Sequence, residues 1–232
     1  MKKITQPHSL AEIAAAQLRE AIVTGQLRLG ENISEEKLAR QLGISRTPIR
    51  DCMAILSKEG LVVVRSKRGS FVFETNVTDI GEISDYRLML ELQGIKAAVS
   101  HARAAYLTGM MQILQDMEAA LGRGDSVAYG TADTAFHQLA FDLCGNSYLR
   151  DAYSLVAGRI AALRANITAP YDDRRQESFG EHRAMAEMIG AGDFSELETA
   201  MSRHVGRTRD VYIRALKEGH LGPPSPIVDA TA

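Results

Sequence analysis

Apolar residues return every three or four positions along most of this chain, the period of an amphipathic helix. In the first third, "LAEIAAAQLREAIVTG" sets Ile13, Ala14, Leu18, Ala21 and Ile22 at helical spacing. Ser9 and Glu12 stand as a capping box ahead of that run, and Gly25 ends it. A polar link, "QLRLGEN", leads to a short helix opened by Ser34 with Glu35 and Glu36 in its first turn. Gly43 then supplies the tight turn that a helix-turn-helix needs. The third helix begins near Ser45–Thr47, because Pro48 fits only a first helical turn. Ile49, Cys52, Met53 and Leu56 make its buried stripe, and Arg46, Thr47 and Arg50 lie at its start and on its other face. Next, "LVVVRSKRGSFVFE" carries two β-branched or aromatic runs about a turn, a hairpin with Lys67, Arg68 and Gly69 at its tip. Three helices and a basic hairpin make a winged helix-turn-helix.

After "ETNVTD", where Thr78 or Asp79 can cap a new helix, the helical period continues to near the end of the chain. Helices are expected over 79–104, 107–122, 126–143, 147–166, 174–190 and 193–218, a six-helix bundle with no convincing strand. The tail "GHLGPPSPIVDATA" is rich in Pro and Gly and is expected to be disordered. The predicted fold is therefore mainly α. A winged helix-turn-helix spans 1–74, a linker 75–78, an all-α bundle 79–220 and a tail 221–232.

Charge sharpens this division. The formal net charge of −2 hides 12 Lys+Arg against 8 Asp+Glu in residues 1–78, a net of +4, and 15 against 21 beyond, a net of −6. A basic first module joined to an acidic second one implies different partners, with nucleic acid for the first. Arginines at a helix N-terminal end can reach base edges and phosphates in a major groove, and a glycine tip lets backbone approach a groove closely. No apolar run approaches the ~20 residues of a membrane span, and the first residues lack the apolar core of a secretory signal. Two cysteines, Cys52 and Cys144, are too few for a disulfide framework, so a cytoplasmic setting is expected.

The second module carries the chemistry. In "TADTAFHQLA", Asp133 and His137 stand one turn apart on the flank of the apolar face formed by Ala132, Phe136, Leu139 and Leu143. His182 lies in the stripe with Met185, Ala186 and Ile189, and His204 in the stripe of Leu197, Met201, Thr208 and Val211. A lone histidine on an apolar face is usually a satisfied core residue. Three of them with a carboxylate, all pointing inward, suit a divalent transition metal, at distances of ~2.0–2.2 Å for zinc. On the bundle's first helix Arg87 falls on the inward stripe of Ile80, Ile83, Leu90, Gly94 and Ala98. Either Glu91, one turn later, pairs with it, or a ligand carboxylate does. Arg159, Arg164 and Asn166 are further candidates for an anion pocket, and Asn146 is a helix cap.

The stretch from Ser9 to Val72, with "ISEEKLARQLGISRTPIRD", "EGLV" and "RGSFV", resembles the DNA-binding domain of the GntR family of bacterial transcription regulators. The resemblance implies that Arg46 and Arg50 contact guanines, that Thr47 holds phosphate, and that the Gly69 tip, flanked by Lys67 and Arg68, enters the minor groove. The chain departs at Glu36, where many relatives carry an arginine, so that contact is not carried over. "YRLMLE", "ADTAFHQLAFDLCGN", "EHRAMAEMIGAGD" and "AMSRHV" resemble the FCD effector domain of the FadR-type branch. In its metal-binding members an aspartate and three histidines hold the ion, which map to Asp133, His137, His182 and His204, and an arginine corresponding to Arg87 lies by a small organic acid.

The resemblance implies a homodimeric, metabolite-responsive regulator on an inverted-repeat operator. Its metal would be zinc, with nickel, manganese or iron as alternatives, and it would not be an enzyme. Two other functions stay open at this point. One is a direct sensor of the metal, and the other a metalloenzyme with a DNA-binding appendage, since such an ion can polarise water.

Overall fold

A computed structural model of the protein describes residues 9–168 and 171–219. These fall into two compact units that divide between Glu74 and Thr75. The tail expected over 221–232 lies outside the described residues.

The first unit contains α1 (Leu10–Val23), β1 (Asn32–Ile33), α2 (Glu35–Leu42), α3 (Arg46–Lys58), β2 (Val62–Arg65) and β3 (Gly69–Val72). The capping box forms in full: Ser9 Oγ accepts from Glu12 N at 3.2 Å, and Glu12 accepts from Ser9 N at 2.7 Å. Gly43 closes α2 in the left-handed region at φ 65°, which only glycine adopts without strain. Ile49, Cys52, Met53 and Leu56 are all buried, as the stripe on α3 predicts. The stripe on α1 is different. Its buried side chains are Ala11, Ala14, Ala15, Leu18 and Ile22, while Ile13 is 46% exposed.

The wing pairs β2 with β3 antiparallel, Val62 opposite Val72 and Arg65 opposite Gly69. A third strand joins it: the supposed polar link ends in β1, which pairs with β3 to give the order β1-β3-β2. Two residues are too short for alternation to show, and the pairing is with residues far along the chain.

The second unit is helical throughout its described residues: α4 (Val77–Arg123), α5 (Ser126–Leu143), α6 (Ser147–Ile167), α7 (Asp172–Ala191) and α8 (Phe194–Lys217). The two helices expected over 79–104 and 107–122 are one long element interrupted at Ala102, whose φ −143° and ψ 44° are not helical. Its cap is Asn76, accepting from Asp79 N at 3.0 Å, rather than Thr78 or Asp79. The expected linker is therefore largely helix start. Asn146 caps α6 by accepting from Leu149 N at 3.2 Å. The core lies among α4, α5, α7 and α8 around Tyr106, Met117, Tyr129, Phe141, Met185 and Ile189. Among the described residues no helix is long and apolar enough to cross a membrane.

α4 and α5 approach closely at Gly94. Phe141 stacks on Tyr153, with ring centroids 3.9 Å apart, and its edge would lie 3.0 Å from a Cβ placed on Gly94. Gly94→Ala is therefore expected to lower stability by about 1–3 kcal/mol through overpacking, despite alanine's better helix propensity. At Gly81 on the same helix a Cβ meets nothing within 4 Å, so Gly81→Ala should raise stability by roughly 0.5–1 kcal/mol. Paired thermal melts with opposite signs of shift test this.

Candidate functional site

On the first unit, Arg46, Thr47 and Arg50 are exposed at the start of α3, where the buried stripe turns them outward. Ser45 is the N-cap but makes no side-chain capping bond, and the third helical residue, Pro48, has no N–H for it to accept. Arg50 stands 3.4 Å from Glu35, an exposed pair of little energetic weight. Lys67 and Arg68 are exposed at the wing tip, where Lys67 (φ 60°) and Gly69 (φ 101°) turn the chain through the left-handed region.

On the second unit, His137 from α5, His182 from α7 and His204 from α8 converge. Each offers a ring nitrogen, and those atoms lie within 4.8 Å of one another. All three are buried, and Asp133 and His137 sit in the middle of the covered face of α5 with Phe136 and Ala140, not on its margin. Leu139 and Leu143 are only partly covered. On α8 Tyr212, rather than Val211, is buried.

A carboxylate stands behind each imidazole. His204 Nδ1 donates to Glu181 Oε2 at 2.6 Å. His137 Nδ1 lies 2.8 Å from Glu91 Oε2, close but not a straight hydrogen bond. His182 Nδ1 is 3.7 Å from Asp133 Oδ1. The Nε2 atoms thus face inward: those of His137 and His182 are 3.1 Å apart. Carboxylates behind imidazoles that face a common point are the outer-shell pattern of histidine metal sites.

Asp133 is not one of the three converging donors. Its carboxylate lies 2.8 Å from Arg164 Nε and accepts from Ser178 at 3.4 Å. Burial opposes its charge, but Arg164 and then the imidazoles hold the acid well below the usual carboxyl range. For the histidines burial dominates and disfavours the cation: it holds His182 down at about 3 and lowers His137 and His204 as well. All three are neutral near pH 7, the form that ligates a metal.

The four arginine and asparagine candidates part company. Arg87 is buried; its Nε donates to Glu91 at 2.6 Å, so the internal salt bridge forms, and its Nη2 faces Nε2 of His137 at 3.1 Å and of His204 at 3.2 Å. Arg164 is buried against Asp133, and its Nη1 and Nη2 make no well-directed hydrogen bond among the described residues. Arg159 pairs instead with Asp79 at the start of α4. Asn166 donates to the Ala162 carbonyl of its own helix at 2.8 Å.

Residues 10–72 match the bacterial regulatory proteins of the gntR family, and residues 82–207, more than half of the chain, match the FCD domain. The chain belongs to the GntR family. As a GntR regulator it is a DNA-binding transcription factor, not an enzyme. It is 27% identical over 205 residues to the uncharacterized HTH-type regulator YdhC of Bacillus subtilis (strain 168), covering 88% of this chain and 91% of that one. It is 30% identical to a probable D-xylose utilization operon repressor of Paenarthrobacter nicotinovorans, over 82% and 85% of the two chains. The solved structure of McbR/YncC from E. coli shares the fold at a TM-score of 0.79, with 18% identity over 90% of this GntR regulator and all of that chain.

Residue spacing did not single out Glu181 or Tyr153. Glu181 is gripped by Arg207 through bonds of 2.8 and 2.7 Å while it holds His204, and Tyr153 donates to Glu91 at 3.4 Å. Glu181 adjoins His182 in sequence but serves a histidine on another helix, a relation that no helical period encodes.

Proposed function

We propose that this regulator senses a small organic acid through a divalent metal held in its helical unit, and that binding changes its affinity for operator DNA. The observation that carries the proposal is the convergence of three buried imidazoles, with Glu91 and Glu181 against Nδ1 of His137 and His204. His137, His182 and His204 would hold the ion through Nε2, with Asp133 beside them as a fourth donor. Such a nitrogen-rich set suits zinc, nickel, manganese or iron, with zinc the first choice. The ion supplies a positive centre for an anion. The guanidinium of Arg164, buried between Asp133 and Tyr153, supplies N–H donors for a carboxylate. Arg159 and Asn166, committed to Asp79 and to helix backbone, contribute at most from the margin. A relative named for control of a D-xylose utilization operon accords with a metabolite as the signal.

A single reading head contacts few bases, so two heads in a homodimer on an inverted repeat provide specificity. An effector that favours one spacing of the heads by ~1–3 kcal/mol is sufficient regulation. If metal alone shifts operator affinity, the protein is a metal sensor instead.

The test is metal analysis of purified protein, then a thermal-shift screen of metal-loaded protein against mono-, di- and hydroxy-carboxylates. One acid should raise Tm saturably, by about 2.7 kcal/mol of stabilisation at a hundred times its Kd. His137→Ala should lose metal and shift together, and Arg164→Lys, which keeps a cation against Asp133 but removes the planar fork, the shift alone. Absence of a shift with every acid would exclude the carboxylate.

A further inference from the structure

We infer that Thr75, Asp79 and Arg159 form a latch that fixes how the chain leaves the helical unit, and so sets the half-site spacing that a dimer of this regulator accepts. The inference rests on the homodimer proposed above.

Very little chain joins the two units. Phe73 is tied by its backbone into the first: its N donates to the Leu61 carbonyl at 3.0 Å, and its carbonyl accepts from Gly30 N at 3.3 Å. Glu74 follows, its carboxylate accepting from Arg65 Nη2 on β2 at 2.7 Å. At Thr75 the ties change sides, and Oγ1 donates to Asp79 Oδ2 in α4 at 2.8 Å. With two soft torsions per residue, only a handful lie between a residue held by one unit and a residue held by the other.

The Thr75 bond is not a helix cap. Asn76 already caps α4 by accepting from Asp79 N, and Thr75 Oγ1 reaches a carboxylate rather than an orphan amide. What it holds is Thr75 itself, the residue before the cap. The carboxylate is held in turn, because Arg159 Nη2 on α6 meets the same oxygen, Asp79 Oδ2. The side chains of Arg159 and Asp79 are 21% and 24% exposed, so salt screens this charge-assisted bond less than one on the open surface. The far end of the latch is well anchored. Tyr86 on α4 donates to the Ala152 carbonyl of α6 at 3.0 Å, and Tyr153 and Arg164 of α6 pair with Glu91 and Asp133 inside the bundle. Bonds in series fail together. Losing either the Thr75 hydroxyl or the Arg159 guanidinium loosens the joint while leaving the histidines and the α3 arginines in place. Two linked reading heads gain most when their link matches the span of the half-sites, and a looser link accepts other spans.

The test uses the full chain and DNA selected by the wild-type protein, with and without two base pairs inserted between its half-sites, measured by fluorescence anisotropy. The insertion rotates one half-site by about 70° on B-DNA. Wild type should lose affinity at least about tenfold, a small part of what simultaneous engagement of two sites supplies. Thr75→Val, which removes the hydroxyl and keeps the β-branch, should lose about threefold or less, and so should Arg159→Gln. Thr75→Ser keeps the hydroxyl and should behave as wild type. Thr75→Val/Arg159→Gln should be no more tolerant than either single variant, because residues of one network do not act additively. A spacing penalty retained in full by Thr75→Val and Arg159→Gln overturns the latch and leaves the homodimer standing. So does equal tolerance in Thr75→Ser, or a wild type that binds paired half-sites at either spacing. A wild type that binds single half-sites as tightly as pairs overturns the homodimer on DNA, and the latch with it.

Discussion

Asp133→Ala in chelator-treated protein is expected to cost about 3–5 kcal/mol, because it strands a buried guanidinium. Asp133 and Arg164 are each 4% exposed, and Oδ2 and Nε are 2.8 Å apart. Deep charges of this kind are tolerable only in pairs. Removing both, in Asp133→Leu/Arg164→Leu, should restore most of the loss, since an apolar pair of similar volume is often neutral. Urea denaturation at pH 7 with excess chelator separates this effect from any role in holding metal. Equal stability of parent, single and double variants would mean that the pair carries no weight. The sign with pH is also defined. A carboxyl held below its ordinary range stabilises the fold at all pH above that range, and the contribution fades as pH falls through the depressed value.

The second large effect concerns DNA. Arg46→Ala/Arg50→Ala should weaken binding to DNA selected by the wild-type protein by about 30-fold or more, at ~1–3 kcal/mol per arginine on a base edge. Both side chains are exposed, so melting temperature should stay within the small range of surface changes. Fluorescence anisotropy over a salt series gives the measurement. Lys67→Ala/Arg68→Ala at the wing should instead flatten the salt dependence by up to about two phosphate contacts, with a smaller change in sequence preference. Retention of full affinity by the α3 double variant would remove that helix end from the DNA surface.

These two expectations differ in how much of them the chain announces. The exposed arginines follow from a local pattern. Once Ile49, Cys52, Met53 and Leu56 are recognised as one stripe, Arg46 and Arg50 have nowhere to point but outward, and the structure keeps them there. The Asp133–Arg164 pair follows from nothing local, since 31 positions and a helix boundary separate its members. Arg164 read by itself is equally consistent with a surface residue.

The same contrast runs through the rest of the molecule. Capping at Ser9 and Ser34, the turn at Gly43, the α3 stripe and the wing all depend on contacts within a few residues, so their residue types display them. The interruption of α4 at Ala102 has no glycine or proline of its own to mark it, and an expected break near 105–106 came close without locating it. The strand Asn32–Ile33 exists because β3 offers it backbone partners. On α5, alternation of Ala132, Phe136 and Leu139 defines an apolar side, but which edge of it is covered depends on α7 and α8. Those helices draw Asp133 and His137 to the centre and leave Leu139 and Leu143 half-covered.

By itself, then, the sequence determined two modules of opposite charge, their helical and winged classes, the exposed side chains at the start of α3 and the inward pointing of three histidines. All of these follow from short-range periodicity and residue chemistry. Tertiary structure alone decided that the imidazoles meet, that Glu91, Asp133 and Glu181 stand behind them, and that Arg87 lies against His137 and His204 while Arg159 and Asn166 are held elsewhere. The physical reason is that ligand geometry is a relation between helices. It is fixed by how four elements pack, and no period along one of them contains it.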